Sequence, residues 1–106
     1  VHEKHDLFDG IPRPLVDEWT QRLAGSSTAR VERIVSHGHA SRPGSWYDQA
    51  ESEWVMVVQG HARLRFEDNT VLELKPGQHV TIPARVRHRV EWTTPDEETI
   101  WLAVFF

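Results

Sequence analysis

The chain has no cysteine in its 106 residues. That removes disulfides, thiolate zinc sites and thiol nucleophiles, and leaves imidazole, carboxylate, amide and phenol as the groups able to ligate or catalyse. Tyrosine occurs once, as Tyr47, so any role for a phenol falls on that residue. No apolar run approaches the ~18 residues needed to span a bilayer, and no membrane association is expected. The opening residues Val1-His2-Glu3-Lys4-His5-Asp6 lack the basic and apolar regions of a secretory signal, which gives the expectation of a soluble, cytoplasmic protein. Positive charge is also scarce: sixteen acidic residues stand against twelve basic ones, a net charge of −4. No basic block is present to track a phosphate backbone, so nucleic acid is not an expected partner. Arg85, Arg87 and Arg89 alternate along a predicted strand and read as a solvated face, with an anion contact as the alternative.

Large rings are plentiful by contrast. Five tryptophans and four phenylalanines in a chain that is 39% hydrophobic can fill one core without a staple, and a chain of about this length buries roughly two-thirds of its unfolded surface. Residues 1–12 are polar, with Phe8 and Ile11 as anchors for an arm lying across the body of the protein. After Pro12 and Pro14, the residues Leu15, Val16, Trp19 and Leu23 recur at helical spacing. Pro14 suits a first turn and Gly25 a stop, which predicts one short amphipathic helix over residues 14–24. The predicted organisation is thus an arm with a helix, residues 1–29, ahead of a β body, residues 30–106.

From Arg30 the period changes to that of strands, predicted at 30–36, 54–59, 62–67, 71–74, 79–82, 88–92 and 99–105. Gly60, Asp68-Asn69, Pro76-Gly77, Pro83 and Pro95-Asp96 punctuate them as turn formers. Short strands about ten residues apart indicate an all-β sandwich or barrel, and a closed antiparallel barrel also removes exposed edges. Its interior is then the natural pocket.

Two stretches are more specific. PGSWYDQAESEWVMVVQG, residues 43–60, resembles the first motif of the cupin family, with Glu53 followed after six residues by Gly60. GQHVTIPARVRHRVEW, residues 77–92, resembles the second, matching at Gly77, Pro83 and His88, while Arg85 and Trp92 replace the glycine and asparagine of the family. With the three-residue spacing before Glu53, Tyr47 and Gln49 stand where the family carries two histidines; the four-residue spacing puts Trp46 and Asp48 there. The resemblance covers about residues 30 to 105. It implies a cupin-type antiparallel jelly-roll β-barrel and a first-row divalent metal ion (Zn, Fe, Mn or Ni) inside it. It also implies a small-molecule ligand, with dioxygenase, isomerase, epimerase, decarboxylase or lyase chemistry, or ligand binding alone.

The residues support such a convergence in their own right. Tyr47 and Gln49 are two apart and face one side of an extended chain, Glu53 stands at the start of the next strand and His88 at the start of a distant one, and a barrel can bring all four together. Gln49 and Glu53 would supply oxygen, His88 nitrogen and Tyr47 a fourth donor, leaving room for water or substrate. The alternative is a buried Glu53–His88 hydrogen-bonded pair satisfied by Gln49, which could still act as base and acid.

Other residues are open to two readings. His37 and His39 face one way near the end of the first long strand, and either supplement the barrel site, with His39 at the pocket, or bind metal at the surface. Trp46 either stacks on a ligand at the pocket mouth, beside Asp48, or packs against protein. His61 and His79 are expected to face solvent. Phe105 and Phe106 place the last strand inside the sheet or in a homodimer interface. The functional expectation is a metal-dependent enzyme acting on a small polar metabolite, with a non-catalytic binder or sensor as the alternative.

Overall fold

Alternating residues in the β body produce strands whose inner faces close on one another. The computed structural model describes residues 2–106 and contains eight strands. They are β1 (Trp19–Gly25), β2 (Arg30–Ser36), β3 (Glu53–Gln59), β4 (Ala62–Phe66), β5 (Val71–Leu74), β6 (His79–Ile82), β7 (His88–Thr93) and β8 (Thr99–Phe105). A five-stranded sheet in the order β1-β2-β8-β3-β6 faces a three-stranded sheet in the order β5-β4-β7. Every pairing is antiparallel. The fold is an all-β antiparallel jelly roll.

Parity decides what enters the interior. In β3 the residues Glu53, Val55 and Val57 are buried while Trp54 and Met56 are only partly so, so the register that puts two valines into the core carries a carboxylate in with them. In β7 the same rule buries His88 and Val90. The core they join includes Leu64, Leu74, Ile82 and Trp101, from both sheets. A second, outer cluster forms where Ile11, Val35 and Ile100 meet Leu7, Leu15 and Trp19 on the other side of the larger sheet.

The expected helix over residues 14–24 is absent, and its second half is β1. This strand pairs with β2 from Trp19 opposite Val35 to Gly25 opposite Arg30, with one irregularity between Arg22 and Ala24. Trp19 and Leu23 fit a helical stripe, but with Gln21 they also fit one face of a strand. An isolated helix of that length is marginal, whereas β2 offers a row of unpaired backbone groups that a neighbouring strand satisfies. Tertiary pairing overrides the local pattern. Val16 and Leu23, half of the supposed apolar stripe, are exposed.

The arm crosses the outer face of the larger sheet, although its anchors differ from expectation. Ile11 is buried but Phe8 is exposed, and Leu7 packs in its place. The fastening is polar: Arg33, itself buried, donates from Nη1 to the carbonyls of Leu7 (2.7 Å) and Asp9 (2.6 Å) and from Nη2 to Gln21. No helix among the described residues is long and apolar enough to cross a membrane. β8 lies in the middle of its sheet, between β2 and β3, with Phe105 buried and Phe106 exposed.

Candidate functional site

A cavity of about 240 Å³ opens between the sheets. Its apolar wall is made by Val55, Leu64, Ile82, Val90, Trp101 and Phe105, and its polar groups include Glu53, His88, Tyr47, Gln49 and Glu18. The four residues assembled from the two motifs therefore line one space.

The loop before β3 is held to β7 by its backbone. Tyr47 N–H donates to the His88 carbonyl (2.7 Å) and His88 N–H to the Tyr47 carbonyl (3.2 Å). This bridge brings the two rings to a centroid separation of 5.5 Å. Two residues on, the Gln49 carbonyl accepts from Arg85 N–H (2.8 Å), so Tyr47 and Gln49 share the inward side while the residues between and before them turn out. Asp48 pairs with Arg85 (3.3 Å). Trp46 lies 5.8 Å from each of the guanidinium groups of Arg87 and Arg89. Trp46 and Asp48, expected at the pocket, are not part of its wall, because the loop's parity follows the three-residue spacing.

His39 is not in the wall either. Its Nδ1 accepts from the His37 backbone N–H (2.9 Å) and its Nε2 lies 3.2 Å from the Val16 carbonyl, while His37 Nε2 lies 3.0 Å from the Pro95 carbonyl. Both rings are engaged in fastening backbone. His61 is likewise engaged, with Glu73, and His79 accepts from the Trp54 indole at 3.3 Å.

At the buried centre, His88 Nε2 lies 3.4 Å from Glu53 Oε1. His88 Nδ1 lies 2.9 Å from the Val86 carbonyl; an N–H there donates to that oxygen and fixes the ring with Nε2 turned to the cavity. Burial alone would lower the proton affinity of the imidazole, but the Glu53 carboxylate and the Val86 carbonyl outweigh it and raise it above its ordinary value. Tyr47 is pushed up by burial and then by the negative charges of Glu18 and Glu53, which keeps the phenol protonated and able to donate.

Glu18 was not reached by sequence reasoning. Burial raises its proton affinity, partly offset by the hydrogen bond it accepts from Ser36. Arg30 and Glu32 also line the cavity unforeseen. The available signal was alternation: Glu18 and Thr20 lead into β1 in one phase, and Arg30, Glu32 and Ile34 share the facing phase of β2. The helical spacing of Leu15, Val16, Trp19 and Leu23 obscures it.

The donor chemistry fits a divalent ion. Gln49 Oε1 is buried without a hydrogen-bond partner, an acceptor left with its desolvation uncompensated. With it in the cavity are the Glu53 carboxylate and an imidazole whose other nitrogen is anchored, a mixed oxygen and nitrogen set suited to first-row ions. No three His, Asp or Glu side chains among the described residues form a metal-holding group, so the amide oxygen would have to be the third donor.

This fold and cavity are those of a cupin. Residues 31–105 match the family model described as Cupin domain, and the chain belongs to that family as a small type-2 cupin. Among solved structures, that of a candidate mannose-6-phosphate isomerase from Ralstonia eutropha JMP134 is 43% identical and superposes with a TM-score of 0.92, covering 98% of this chain and 97% of that one. A cupin superfamily protein from Desulfitobacterium hafniense DCB-2 is 16% identical at a TM-score of 0.74, covering 91% and 83%. A DMSP lyase chain is 24% identical at 0.69, covering 81% of this chain and 45% of that one; the latter two likenesses show the shared fold alone. Comparison with the curated proteins finds no significant match.

Proposed function

We propose that this chain is a small cupin enzyme acting on a compact polar metabolite, with Glu53 and His88 as its proton-moving pair. The observation that carries this reading is the buried carboxylate–imidazole contact of 3.4 Å in a cavity whose core side is apolar. Such a pair has the composition of a general base and acid, and apolar walls strengthen its electrostatics by excluding water. The name of the 43% identical neighbour favours isomerisation as the reaction type, taken here without that neighbour's phosphorylated substrate; in it a proton leaves a carbon beside a carbonyl and is returned to the neighbouring carbon. In this reading Glu53 takes that proton and Tyr47 donates a hydrogen bond to the substrate oxygen.

Were a divalent ion (Zn, Fe, Mn or Ni) bound, Gln49, Glu53 and His88 would hold it, with Tyr47 lining the same space, and the proton-moving role would pass from the pair to Tyr47 or to Glu53 released from the ion. When bound, the ion supplies Lewis-acid polarisation of a substrate carbonyl or hydroxyl. Protein purified without a His tag is expected to contain close to one equivalent of such a metal and to melt higher when Mn or Zn is added. Gln49→Ala should weaken that response about tenfold. Absence of both metal and response in the wild-type protein would remove the ion from this reading.

A second reading, a binder or sensor without turnover, is favoured by Tyr47 and Gln49 standing where two histidines occur in the family motif. If His88→Ala kept ligand binding, and no turnover were found in the unmodified chain, that reading would replace the first. The proposal also includes a cytoplasmic homodimer, supported by β1 as an exposed edge strand and by exposed Leu23 and Phe106. Light scattering after size exclusion should then return about twice the 12.3 kDa chain mass; the chain mass itself would argue for a monomer.

A further inference from the structure

The charges lining the cavity do not cancel, and the imbalance can be traced to one residue. The wall carries three carboxylates, Glu18, Glu32 and Glu53, against the cationic groups Arg30 and His88. Both cationic groups are already engaged. Arg30 donates to Glu32 at 2.9 Å and to Glu51, and stacks on the Phe105 ring at 4.1 Å, while His88 is held between Glu53 and the Val86 carbonyl. Glu18 takes part in no ion pair among the described residues.

Glu18 is nevertheless held in place. Its Oε2 accepts from Ser36 Oγ–H at 3.1 Å, and Ser36 Oγ accepts in turn from the Trp101 indole N–H at 3.3 Å. Ser36 and Trp101 are both buried, so the carboxylate rests on a fixed two-step anchor and does not wave from the rim. The neighbouring His39 cannot balance it freely, since both its nitrogens are engaged with the backbone. Ser36 supplies one donor to this half-buried carboxylate but no cation, so the cost of burying its charge is only partly offset. Gln49 Oε1 is an acceptor in the same cavity with no donor at all. The carboxylates of the wall outnumber its cationic groups and these two acceptors are incompletely satisfied, so an occupant that brings a hydrogen-bond donor or positive charge to them is favoured.

We propose that Glu18 is a specificity-determining residue of this cavity: it accepts a hydrogen bond from a donor group of the ligand, a hydroxyl or an ammonium, and excludes a phosphate or carboxylate from its wall. This rests on reading the cavity as the ligand site and on its charge balance without a bound ion, and it requires no reaction there. An anionic group near Glu18 finds repulsion and no unengaged guanidinium, whereas hydroxyl and ammonium groups both complete the acceptors.

The test uses the full chain at pH 7.5 and three probes that differ chiefly in charge: glucose, glucosamine and glucose 6-phosphate, titrated calorimetrically. Glucose or glucosamine is expected to bind at least tenfold more tightly than the phosphate; equal affinities of the first two identify a hydroxyl contact, and a preference for glucosamine an ammonium contact. Glu18→Gln should narrow the discrimination to less than threefold, and Glu18→Asp, which keeps the charge, should restore most of it; circular dichroism verifies that each variant is folded. The inference is overturned if the phosphate binds as tightly as its partners, if none of the three binds the wild-type chain, or if Glu18→Gln leaves the ratio unchanged. A wild-type chain that discriminates by charge yet shows no response to Mn or Zn and no turnover would sink the enzyme reading while leaving Glu18 in its role.

Discussion

Gly60→Ala is expected to destabilise the chain by about 3 kcal/mol, adding the strain of a positive backbone angle to that of overpacking. Gly60 has φ of +95° in the turn between β3 and β4, and a Cβ there would lie 2.5 Å from the Thr99 Cα and 2.4 Å from its Oγ1. Backbone at that distance cannot rotate away as a side-chain tip could. Thr99 opens β8 and is completely buried, with its hydroxyl beside the His61 backbone N–H at 3.3 Å. Relief therefore requires β8 and the turn to separate. Gly77 provides the control: its φ is +86°, yet a Cβ would meet nothing within 4 Å, so Gly77→Ala should cost only about 1 kcal/mol. Urea unfolding of the two variants tests the difference, and equal midpoints would refute the close approach of Thr99.

The second large effect concerns Glu53. Replacing it with Gln keeps the volume and removes the base, and turnover is expected to fall about 10³-fold, within the usual range for such a group. A variant retaining turnover within about tenfold would remove Glu53 from the chemistry. The same substitution changes how stability depends on pH. His88 has its proton affinity raised in the fold, so its ion pair contributes fully below the unfolded imidazole value of about 6.5. That contribution is lost as pH rises through the higher folded value. In chelator, the wild-type melting temperature should therefore drop between pH 6 and pH 8 by more than that of Glu53→Gln. Glu18, whose affinity is also raised, acts in a lower window that begins near ordinary carboxylate values. Parallel curves for the two proteins would mean that the pair contributes no proton-linked stability.

The jelly roll was legible because the relevant information is local and has period two. Glu53 with Val55 and Val57, and His88 with Val90, announce their inward face within a few residues, and the intervening turn formers separate the strands. Residues 15–23 contain no comparable decision. Trp19 and Leu23 satisfy either period, and what selects a strand is the hydrogen-bonding row of β2, whose partners for Trp19–Arg22 lie ten to sixteen residues further along the chain. The site was readable to the same extent. Tyr47, Gln49, Glu53 and His88 could be drawn from motif spacing, whereas Glu18, Arg30 and Glu32 enter the cavity only through the β1–β2 pairing. His39 and Trp46 failed as pocket residues for another reason: spacing specifies which side chains share a side of the backbone, but not which groups already occupy the available partners.

The larger sheet has five strands and the smaller three, and β1 is exposed along nearly its whole length. A lip thus extends from the sandwich, from which Thr20 on β1 and Arg30 and Glu32 on β2 bring polar groups to the cavity lining, while its apolar lining comes from other strands apart from Ile34 of β2. Substitutions on this lip can alter which molecules are admitted without repacking the interior, so admission and folding can evolve under separate constraints.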